Sequence, residues 1–304
     1  KIINFNFMNK LKVLNCPICK SRINEEPVII PEVNPITDIK IKKKLWTNLL
    51  NKRIFFPYYR CECGLLTNKY FIEEKTLKHL YSDMKDNVHL SDDINNDIKT
   101  KKNYLRQIQI ILSDQRRKLN VLEIGADNGS FLKLIKKSNP KVRITAIEPN
   151  KRMHKKLKYL TKNVYHDLKK IPKSEKFDLI IAIHVFDHIP NLINFLKSLE
   201  KKIKNGGFIY GVVHNERSAM ARILGRRWPA YSLQHPHLFN RLTIDNLFKK
   251  LKYKKKFIRK TVNFFNLGFL LKHLCMAIFN KKINFPNLFP IGLKLGNFSF
   301  LYIK

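Results

Sequence analysis

The sequence has few acidic residues and no long uninterrupted apolar segment. Its 304 residues include 60 Lys and Arg but only 23 Asp and Glu, a formal charge of +37. A membrane-spanning helix needs roughly 18 uncharged apolar residues. The longest apolar stretch, residues 262–279, is interrupted by Lys272 and His273. The N-terminal residues also lack the apolar core and cleavage site of a signal peptide. We therefore expect a cytoplasmic protein without a transmembrane segment.

The basic excess favours contact with nucleic acid, anionic lipid or acidic polymers. However, Lys, Ile and Asn are abundant along the whole chain, as in "KIINFNFMNK" and "KKIKNGGFIY". Such a composition is typical of an AT-rich genome, and no single segment holds most of the lysines. We therefore prefer compositional bias over a dedicated basic groove. The 44% hydrophobic content is ordinary for a globular protein with a sizeable core.

Cysteine is also scarce, but four of the five cysteines lie in two close pairs. Cys16 and Cys19 form "CPIC", and Cys61 and Cys63 form "CEC". Two pairs on turns can place four thiolates around Zn²⁺, and such a closed site is structural rather than catalytic. The C-x-C spacing departs from the usual C-x-x-C, yet one intervening residue can still present two sulfurs. We predict structural zinc, with unliganded cysteines as the alternative, and a core position for Cys275.

The clearest motif lacks a glycine. In "VLEIGADNGSFLKLI", residues 121–135, an apolar strand runs through a turn into an amphipathic helix, as in Rossmann-like nucleotide sites. Asp127 lies between Gly125 and Gly129, where a further glycine is usual. Its carboxylate would repel a pyrophosphate, which argues against NAD or FAD. S-adenosylmethionine, which carries an amine and a sulfonium, suits this charge. The alternative is that Asp127 only caps the helix.

An acidic residue after the second predicted strand supports a nucleoside ligand. Glu148 follows the loop by about twenty residues, where a carboxylate accepts the ribose hydroxyls. From Leu119 onwards strands and helices alternate, which predicts a parallel sheet with crossovers. We expect Gly206 to cap the helix before the fifth strand. The predicted strands after the first are "VRITAIEP", "NVYHDL", "FDLIIAIHVFDHI", "GGFIYGVV", "YKKKFIRKTV" and "NFSFLYIK".

Taken in order, "LEIGADNGSF", "IEPN", "YHDL", "FDLIIAIHVFDHIPN" and "LKSLEKKIKNGG" resemble the motifs of class I S-adenosylmethionine-dependent methyltransferases. The resemblance implies an α/β, Rossmann-like sheet, mostly parallel with the last strand antiparallel. It also implies S-adenosylmethionine as cofactor. The implied cofactor-binding residues are Glu123, Gly125, Asp127, Gly129, Glu148, Asp167 and His184.

The segment "RRWPAYSLQHPHLFNRLTIDNLF" resembles one found in methyltransferases with an N-terminal cysteine-rich module. Those enzymes are often associated with modification of sugars, surface polysaccharides or secondary metabolites. We therefore divide the chain into a zinc-ribbon-like module at 1–72, a helical linker at 73–117 and a methyltransferase domain at 118–304. Residues 262–279 would form a lid, a membrane-surface helix or, as we prefer, a helix packed on the sheet.

Histidines are the candidate catalytic residues, because the site of an open parallel sheet lies beyond the carboxyl ends of its strands. A histidine can serve as general base near neutral pH. His188 and His237 lead, since each matches a histidine of the resembling pattern, and His235 and His214 come next. For each, the alternative is a structural histidine. Residues 226–240 are rich in aromatic and histidine side chains and are predicted to form an ordered substrate loop.

These features predict methyl transfer from S-adenosylmethionine to a small-molecule or sugar-type acceptor, at oxygen, nitrogen or carbon. One alternative is a zinc-containing RNA methyltransferase, in which the cysteine module and the positive charge bind the phosphate backbone. The "HPHLFN" stretch and the lack of an N-P-P-Y-type base pocket favour the first function. A non-catalytic protein with a relict cofactor site is a third hypothesis, because Asp127 departs from the usual loop.

Overall fold

A seven-stranded mixed sheet organises the molecule. The computed structural model describes residues 10–12, 15–33, 53–72, 94–114, 118–279 and 283–304. The strands of this described part are β1 Lys10–Lys12, β2 Tyr58–Arg60, β3 Leu66–Asn68, β4 Tyr70–Ile72, β5 Asn120–Ile124, β6 Arg143–Ile147, β7 Val164–Tyr165, β8 Phe177–Ile183, β9 Ile203–His214, β10 His237–Leu238, β11 Lys254–Lys260, β12 Asn263–Asn266, β13 Pro290–Leu293 and β14 Asn297–Ile303. The α-helices are α1 Ile94–Leu112, α2 Ser130–Ser138, α3 Lys151–Lys158, α4 Leu192–Glu200, α5 Ala219–Leu224, α6 Arg241–Lys250 and α7 Leu267–Phe279.

The strand order in the main sheet is β11-β14-β9-β8-β5-β6-β7. Neighbours from β9 to β7 pair in parallel, whereas β14 runs antiparallel between β9 and β11. This arrangement confirms the predicted fold class. Strands β5, β6 and β8 are buried along almost their whole length, because the helices of the crossovers cover both faces of a parallel sheet. The carboxyl ends of β5, β6, β8 and β9 therefore meet at one edge.

The predicted helix cap at Gly206 is wrong. Helix α4 ends at Glu200, and Gly206 lies within β9, which begins at Ile203. The pairing of β9 with β8 is irregular here, since the register shifts between Phe177 and Leu179. Gly206 has a φ of 73°, a left-handed conformation that glycine adopts readily. Its freedom therefore serves an irregularity in the strand rather than the end of a helix.

Residues 262–279 form a strand followed by a helix. Strand β12 pairs with β13, and its Phe264 amide donates to Thr100 Oγ1 of α1. Helix α7 follows, with Cys275 half-buried and Phe279 64% exposed at its end. None of the helices in the described ranges is long and apolar enough to cross a membrane. Of the predicted linker helices, "YLRQIQIIL" lies in α1 and "EKTLKHLY" lies outside the described residues.

The cysteine-rich segment is joined to the rest of the chain by a shared sheet. Strands β2 and β3 pair antiparallel, and β10, which comes from the 226–240 segment, adds to the other edge of β3. The Arg60 guanidinium donates to both carboxylate oxygens of Glu216, at 3.0 and 2.9 Å. The Tyr58 hydroxyl donates to the His235 carbonyl at 2.6 Å. These contacts place the predicted substrate loop directly against the cysteine-rich segment.

Candidate active site and cysteine cluster

The glycine loop after β5 folds over the end of β6. The amides of Gly125 and Ala126 both donate to the Ile147 carbonyl, at 2.8 and 3.1 Å. Gly129 has a φ of 78°, and an added Cβ would lie 2.7 Å from a Leu160 methyl group. The backbone conformation therefore favours glycine at Gly129, and a larger residue would also have to displace the Leu160 methyl group. The loop places its backbone at the carboxyl edge of the sheet.

Asp127 adopts a left-handed backbone with a φ of 48° and is tied to the end of β6. Its amide donates to Glu148 Oε2 at 2.7 Å. The polar side chain at the start of α2 is Asn128, which accepts from the Ser130 amide, while the capping residue is Gly129. The capping position of α2 is thus Gly129 rather than Asp127.

Glu148 is held rigidly at the end of β6. Its two carboxylate oxygens accept from the amides of Asp127 and Asn150, at 2.7 and 2.8 Å. Burial raises the pKa of Glu148 to about 7, although these hydrogen bonds oppose the shift. Each oxygen keeps a further lone pair, so the carboxylate could accept two hydroxyl groups of a ribose.

A second buried carboxylate lies beside the loop. Glu123 on β5 is 3% exposed, and burial raises its pKa to about 8. Within the described residues, its Oε2 has no hydrogen-bond partner. A buried orphan oxygen is costly unless a ligand or water satisfies it. A cation bound beside Glu123, Asp127 and Glu148 would favour the ionised form of these carboxyl groups, whereas a pyrophosphate would not. This acidic rim therefore fits a cationic nucleoside such as S-adenosylmethionine better than a pyrophosphate.

The remaining predicted cofactor residues follow β7 and β8. Asp167 caps a short 3₁₀ turn, and its Oδ1 accepts from the Lys169 amide at 3.0 Å. His184 comes directly after β8 with a φ of 52°, a left-handed conformation that is uncommon outside glycine. Burial lowers the pKa of His184.

Four histidines converge at the carboxyl ends of β8 and β9. The ring centroids of His184 and His214 are 4.6 Å apart, and those of His214 and His235 are 4.9 Å apart. His188 and His235 approach within 4.5 Å. Three of the four predicted catalytic histidines thus share one cluster with His184. The fourth, His237, lies elsewhere.

A buried aspartate lies at the centre of this cluster. Asp187 is fully buried, and its Oδ2 accepts from both Nδ1 and the backbone amide of His214, at 2.5 and 3.1 Å. Burial opposes ionisation, but interactions with His184 and His214 hold the pKa of Asp187 well below its usual range. With a proton on Nδ1, His214 presents the lone pair of Nε2. This is the arrangement of a general base oriented by a carboxylate.

The role of Asp187 was not predicted from the sequence. The sequence feature that could have indicated this role is the position of Asp187, three residues after His184 and just beyond the end of β8. The sequence does not show that it meets His214, because the contact joins the ends of two different strands.

His188 and His235 form a second pair. Their Nε2 atoms are 3.2 Å apart, and His235 Nδ1 donates to the Ala230 carbonyl at 2.7 Å. Burial lowers the pKa of His188 to about 4 and that of His235 well below its usual value. Both rings are therefore neutral near pH 7. The Nε2 lone pair of His235 faces His188, which limits its access to an acceptor.

His237 joins the cysteine-rich segment to the loop after β8. Its Nδ1 lies 2.7 Å from Thr67 Oγ1 and its Nε2 lies 2.9 Å from the Pro190 carbonyl. Burial lowers the pKa of His237 to about 4. Since both ring nitrogens are engaged, the geometry ranks His237 below His214 as a base, and its catalytic role stays a prediction.

The four N-terminal cysteines form one cluster. The Sγ atoms of Cys16 and Cys63 are 3.6 Å apart, and those of Cys19 and Cys61 are 3.2 Å apart. All four sulfurs lie within 4.8 Å of one another. Thiolates bound tetrahedrally to zinc at about 2.3 Å are about 3.8 Å apart, so the cluster could hold such an ion with small adjustments. The hydrogen bond with Cys16 lowers the pKa of Cys63 to about 5, and the same bond and burial raise the pKa of Cys16.

The arrangement of sheet, glycine loop and acidic rim agrees with a comparison of protein families. A family model described as a methyltransferase domain matches residues 96–255, more than half of the chain. The chain belongs to this family. The protein is thus an S-adenosylmethionine-dependent methyltransferase, as its motifs predict.

Several solved methyltransferases are similar to this methyltransferase at low sequence identity. The N-methyltransferase NodS from Bradyrhizobium japonicum, solved with S-adenosyl-L-homocysteine, is 16% identical with a TM-score of 0.44, over 75% of this chain and 97% of NodS. A SAM-dependent methyltransferase from Archaeoglobus fulgidus is 17% identical with a TM-score of 0.45, over 67% of this chain and 94% of that protein. No curated protein sequence matches the methyltransferase significantly.

Proposed function

We propose that the methyltransferase acts on a small-molecule or sugar-type acceptor held at the carboxyl edge of the sheet, with His214 as general base. The observation that carries this proposal is the 2.5 Å contact between His214 Nδ1 and Asp187 Oδ2. This contact favours the His214 tautomer with its proton on Nδ1, so that the Nε2 lone pair can accept a proton from the acceptor. A hydroxyl acceptor would lose this proton to His214 as its oxygen takes the methyl group, and an ammonium acceptor would lose it first, because only the neutral amine has a lone pair for the methyl group.

We further propose that the cofactor lies between the glycine loop and the ends of β6 and β8. S-adenosylmethionine supplies an electrophilic methyl group on a sulfonium. Glu148 would accept the ribose hydroxyls, and Asp127 and Glu123 would face the cationic amino-acid end. The glycine loop is closely packed at Gly125, since an added Cβ would lie 3.0 Å from a Val185 methyl group. The roles predicted for Asp167, near the adenine, and for His184 stay predictions.

The choice of acceptor is supported by the 226–240 segment. His235 and Trp228 of this segment contact His214, with ring centroids 4.9 and 6.1 Å apart. A segment that touches the proposed base and packs on the cysteine-rich strands is well placed to select the acceptor. The RNA alternative lacks comparable support, because it rests on a basic excess that is spread along the whole chain.

The acceptor class can be tested with a labelled methyl donor. Purified protein and methyl-labelled S-adenosylmethionine are added to cell extract, which is then separated into glycan, lipid, RNA and small-molecule fractions. We expect the label in the glycan or small-molecule fraction, and about 100-fold less of it or lower when His214→Gln protein is used. Label in RNA, together with RNA binding that weakens steeply with salt, would favour the RNA alternative instead.

We expect the affinity for S-adenosylmethionine to depend more on the charge of Asp127 than on the shape of its side chain. Asp127→Lys should weaken S-adenosylmethionine binding by about tenfold or more, because a cation replaces an anion near the ligand's positive groups. Asp127→Gly should change the affinity less, because glycine adopts the left-handed φ of 48° easily. Isothermal calorimetry gives both affinities. Equal effects of the two substitutions would mean that Asp127 only shapes the turn and does not contact the cofactor. A wild-type protein that fails to bind S-adenosylmethionine at millimolar concentration would contradict the cofactor site.

For the cysteine cluster, we propose a structural zinc ion bound by Cys16, Cys19, Cys61 and Cys63. The proposal is supported by the sulfur spacing of 3.2 to 3.6 Å within the two cross-pairs. It is also supported by the turn at Gly64, whose φ of 86° allows the tight C-x-C bend. The ion would join the "CPIC" turn to the turn before β3.

A further inference from the structure

Two buried ligand atoms in the histidine cluster lack partners. Among the described residues, neither Asp187 Oδ1 nor His184 Nδ1 makes a hydrogen bond. The Asp187 side chain is fully buried, and His184 Nδ1 lies 4.0 Å from Asp187 Oδ2, too far for a hydrogen bond. Orphan buried atoms of this kind are costly and call for a group that satisfies them.

The two orphans belong to a set of three metal-ligand side chains. One ligand atom each from His184, Asp187 and His214 lies within 4.8 Å of the other two. We propose that these three residues form a binding site for a divalent transition-metal ion of the zinc or cobalt type, separate from the cysteine cluster. Two imidazoles and one carboxylate are a common donor set for such ions and leave further coordination positions open.

The geometry allows the ion to enter with small movements. Ligand atoms bound tetrahedrally at about 2.1 Å lie about 3.4 Å apart. His184 Nδ1 is 4.0 Å from Asp187 Oδ2, so the two side chains need to approach by about half an ångström. Asp187 can bind the ion through the orphan Oδ1 and keep the His214 amide on Oδ2 at 3.1 Å. The 2.5 Å contact between His214 Nδ1 and Oδ2 must then open, because the ion takes the lone pair of Nδ1.

The imidazole protons of His214 and His184 can be placed so that both rings stay neutral when the ion binds. In the metal-bound state, the proton of His214 Nδ1 moves to Nε2, since a neutral imidazole carries one proton. His184 would likewise carry its proton on Nε2, which lies 3.4 Å from the Asn297 amide. Turning that amide would present its oxygen as the acceptor, the usual support for a metal-bound histidine.

Metal binding and the proposed base exclude each other. With its proton on Nε2, His214 has no lone pair for the acceptor's proton. If the proposed function holds, the ion therefore inhibits methyl transfer reversibly, and a chelator restores it. The binding site itself depends only on the three side chains and not on that function.

The site can be tested with cobalt as a spectroscopic probe. Full-length protein whose cysteine cluster is already loaded with zinc is titrated with Co²⁺. We expect a second metal equivalent with visible d–d absorption and without the near-ultraviolet sulfur-to-cobalt band, because the ligands are nitrogen and oxygen. His184→Gln should weaken this binding by at least about tenfold, since it removes one of the three protein ligands.

The matched control is His166→Gln, at an exposed histidine beside the edge strand β7. It should bind cobalt like the wild type, and circular dichroism with thermal unfolding verifies that each variant is folded. Wild-type protein without the second cobalt signal, or an equal signal in His184→Gln, would overturn the metal site. Neither result bears on the base, whose own test is the loss of methyl transfer in His214→Gln without added metal.

Discussion

Methyl transfer by His214→Gln protein is expected to fall by about 10²- to 10⁴-fold, the usual contribution of a general base. Glutamine fills a similar space but cannot take a proton from the acceptor. Apart from His184, whose ring lies 4.6 Å from that of His214, the proposed cofactor residues lie on or after β5, β6 and β7. The affinity for S-adenosylmethionine should therefore stay within about twofold. The measurement compares the rate of label transfer with the calorimetric affinity for the cofactor.

His166→Gln serves as the control for this substitution, because His166 is exposed and lies at the β7 edge of the sheet. Asp187→Asn gives an independent check. Its amide nitrogen would donate where the carboxylate accepts, which favours the His214 tautomer with the proton on Nε2. The rate should fall by a similar factor, about 10²- to 10⁴-fold. A rate within about threefold of wild type in the folded Asp187→Asn protein would contradict the base.

The cofactor side of the molecule could be predicted from the sequence because its signals are local. Gly125, Gly129 and the strand-helix pattern around them lie within 15 residues of chain, the stretch 121–135. Glu148 follows at a spacing that one helix and one strand impose. The same patterning predicted the parallel sheet, since buried strands alternate with amphipathic helices. Gly206 misled the prediction because a glycine with positive φ serves an irregular strand as well as a helix end.

The acceptor side could be predicted less well, because its contacts join distant parts of the chain. Thr67 and His237 are 170 positions apart, yet they share a hydrogen bond of 2.7 Å. The sequence shows His237 as one of several histidines, and only the fold shows that both its ring nitrogens are engaged. Asp187 and His214 are likewise brought together by the ends of adjacent strands. Local patterns contain no information about such pairs.

The cysteine-rich segment lies on the proposed acceptor side of the molecule. Arg60 immediately precedes Cys61 and holds Glu216, two residues after the proposed base. Asn240 adds to this network, since its side chain donates to Glu216 at 2.8 Å. The Arg60–Glu216 ion pair is largely buried on the Glu216 side, so we expect a change at the second cysteine pair to affect the chain beyond β9.

Cys61→Ser is expected to release the zinc ion and to lower the melting temperature by about 10 °C or more, because structural zinc contributes directly to folding. Cys275→Ser is the matched control, since Cys275 is a half-buried cysteine on α7 outside the cluster. Metal analysis and thermal unfolding of the reduced proteins measure both effects. Equal zinc content and equal melting temperatures in the two variants would contradict the zinc site.

The same substitution should affect the two sides of the active site unequally. The cofactor loop is held by Ile147 and Glu148 and makes none of its described hydrogen bonds to the cysteine-rich segment. The 226–240 segment, in contrast, depends on that segment for the partner of β10 and for the Tyr58 bond to His235. In Cys61→Ser protein at a temperature below its melting point, methyl transfer should therefore fall while cofactor affinity is retained. A parallel loss of both would mean that zinc stabilises the whole domain rather than its acceptor side.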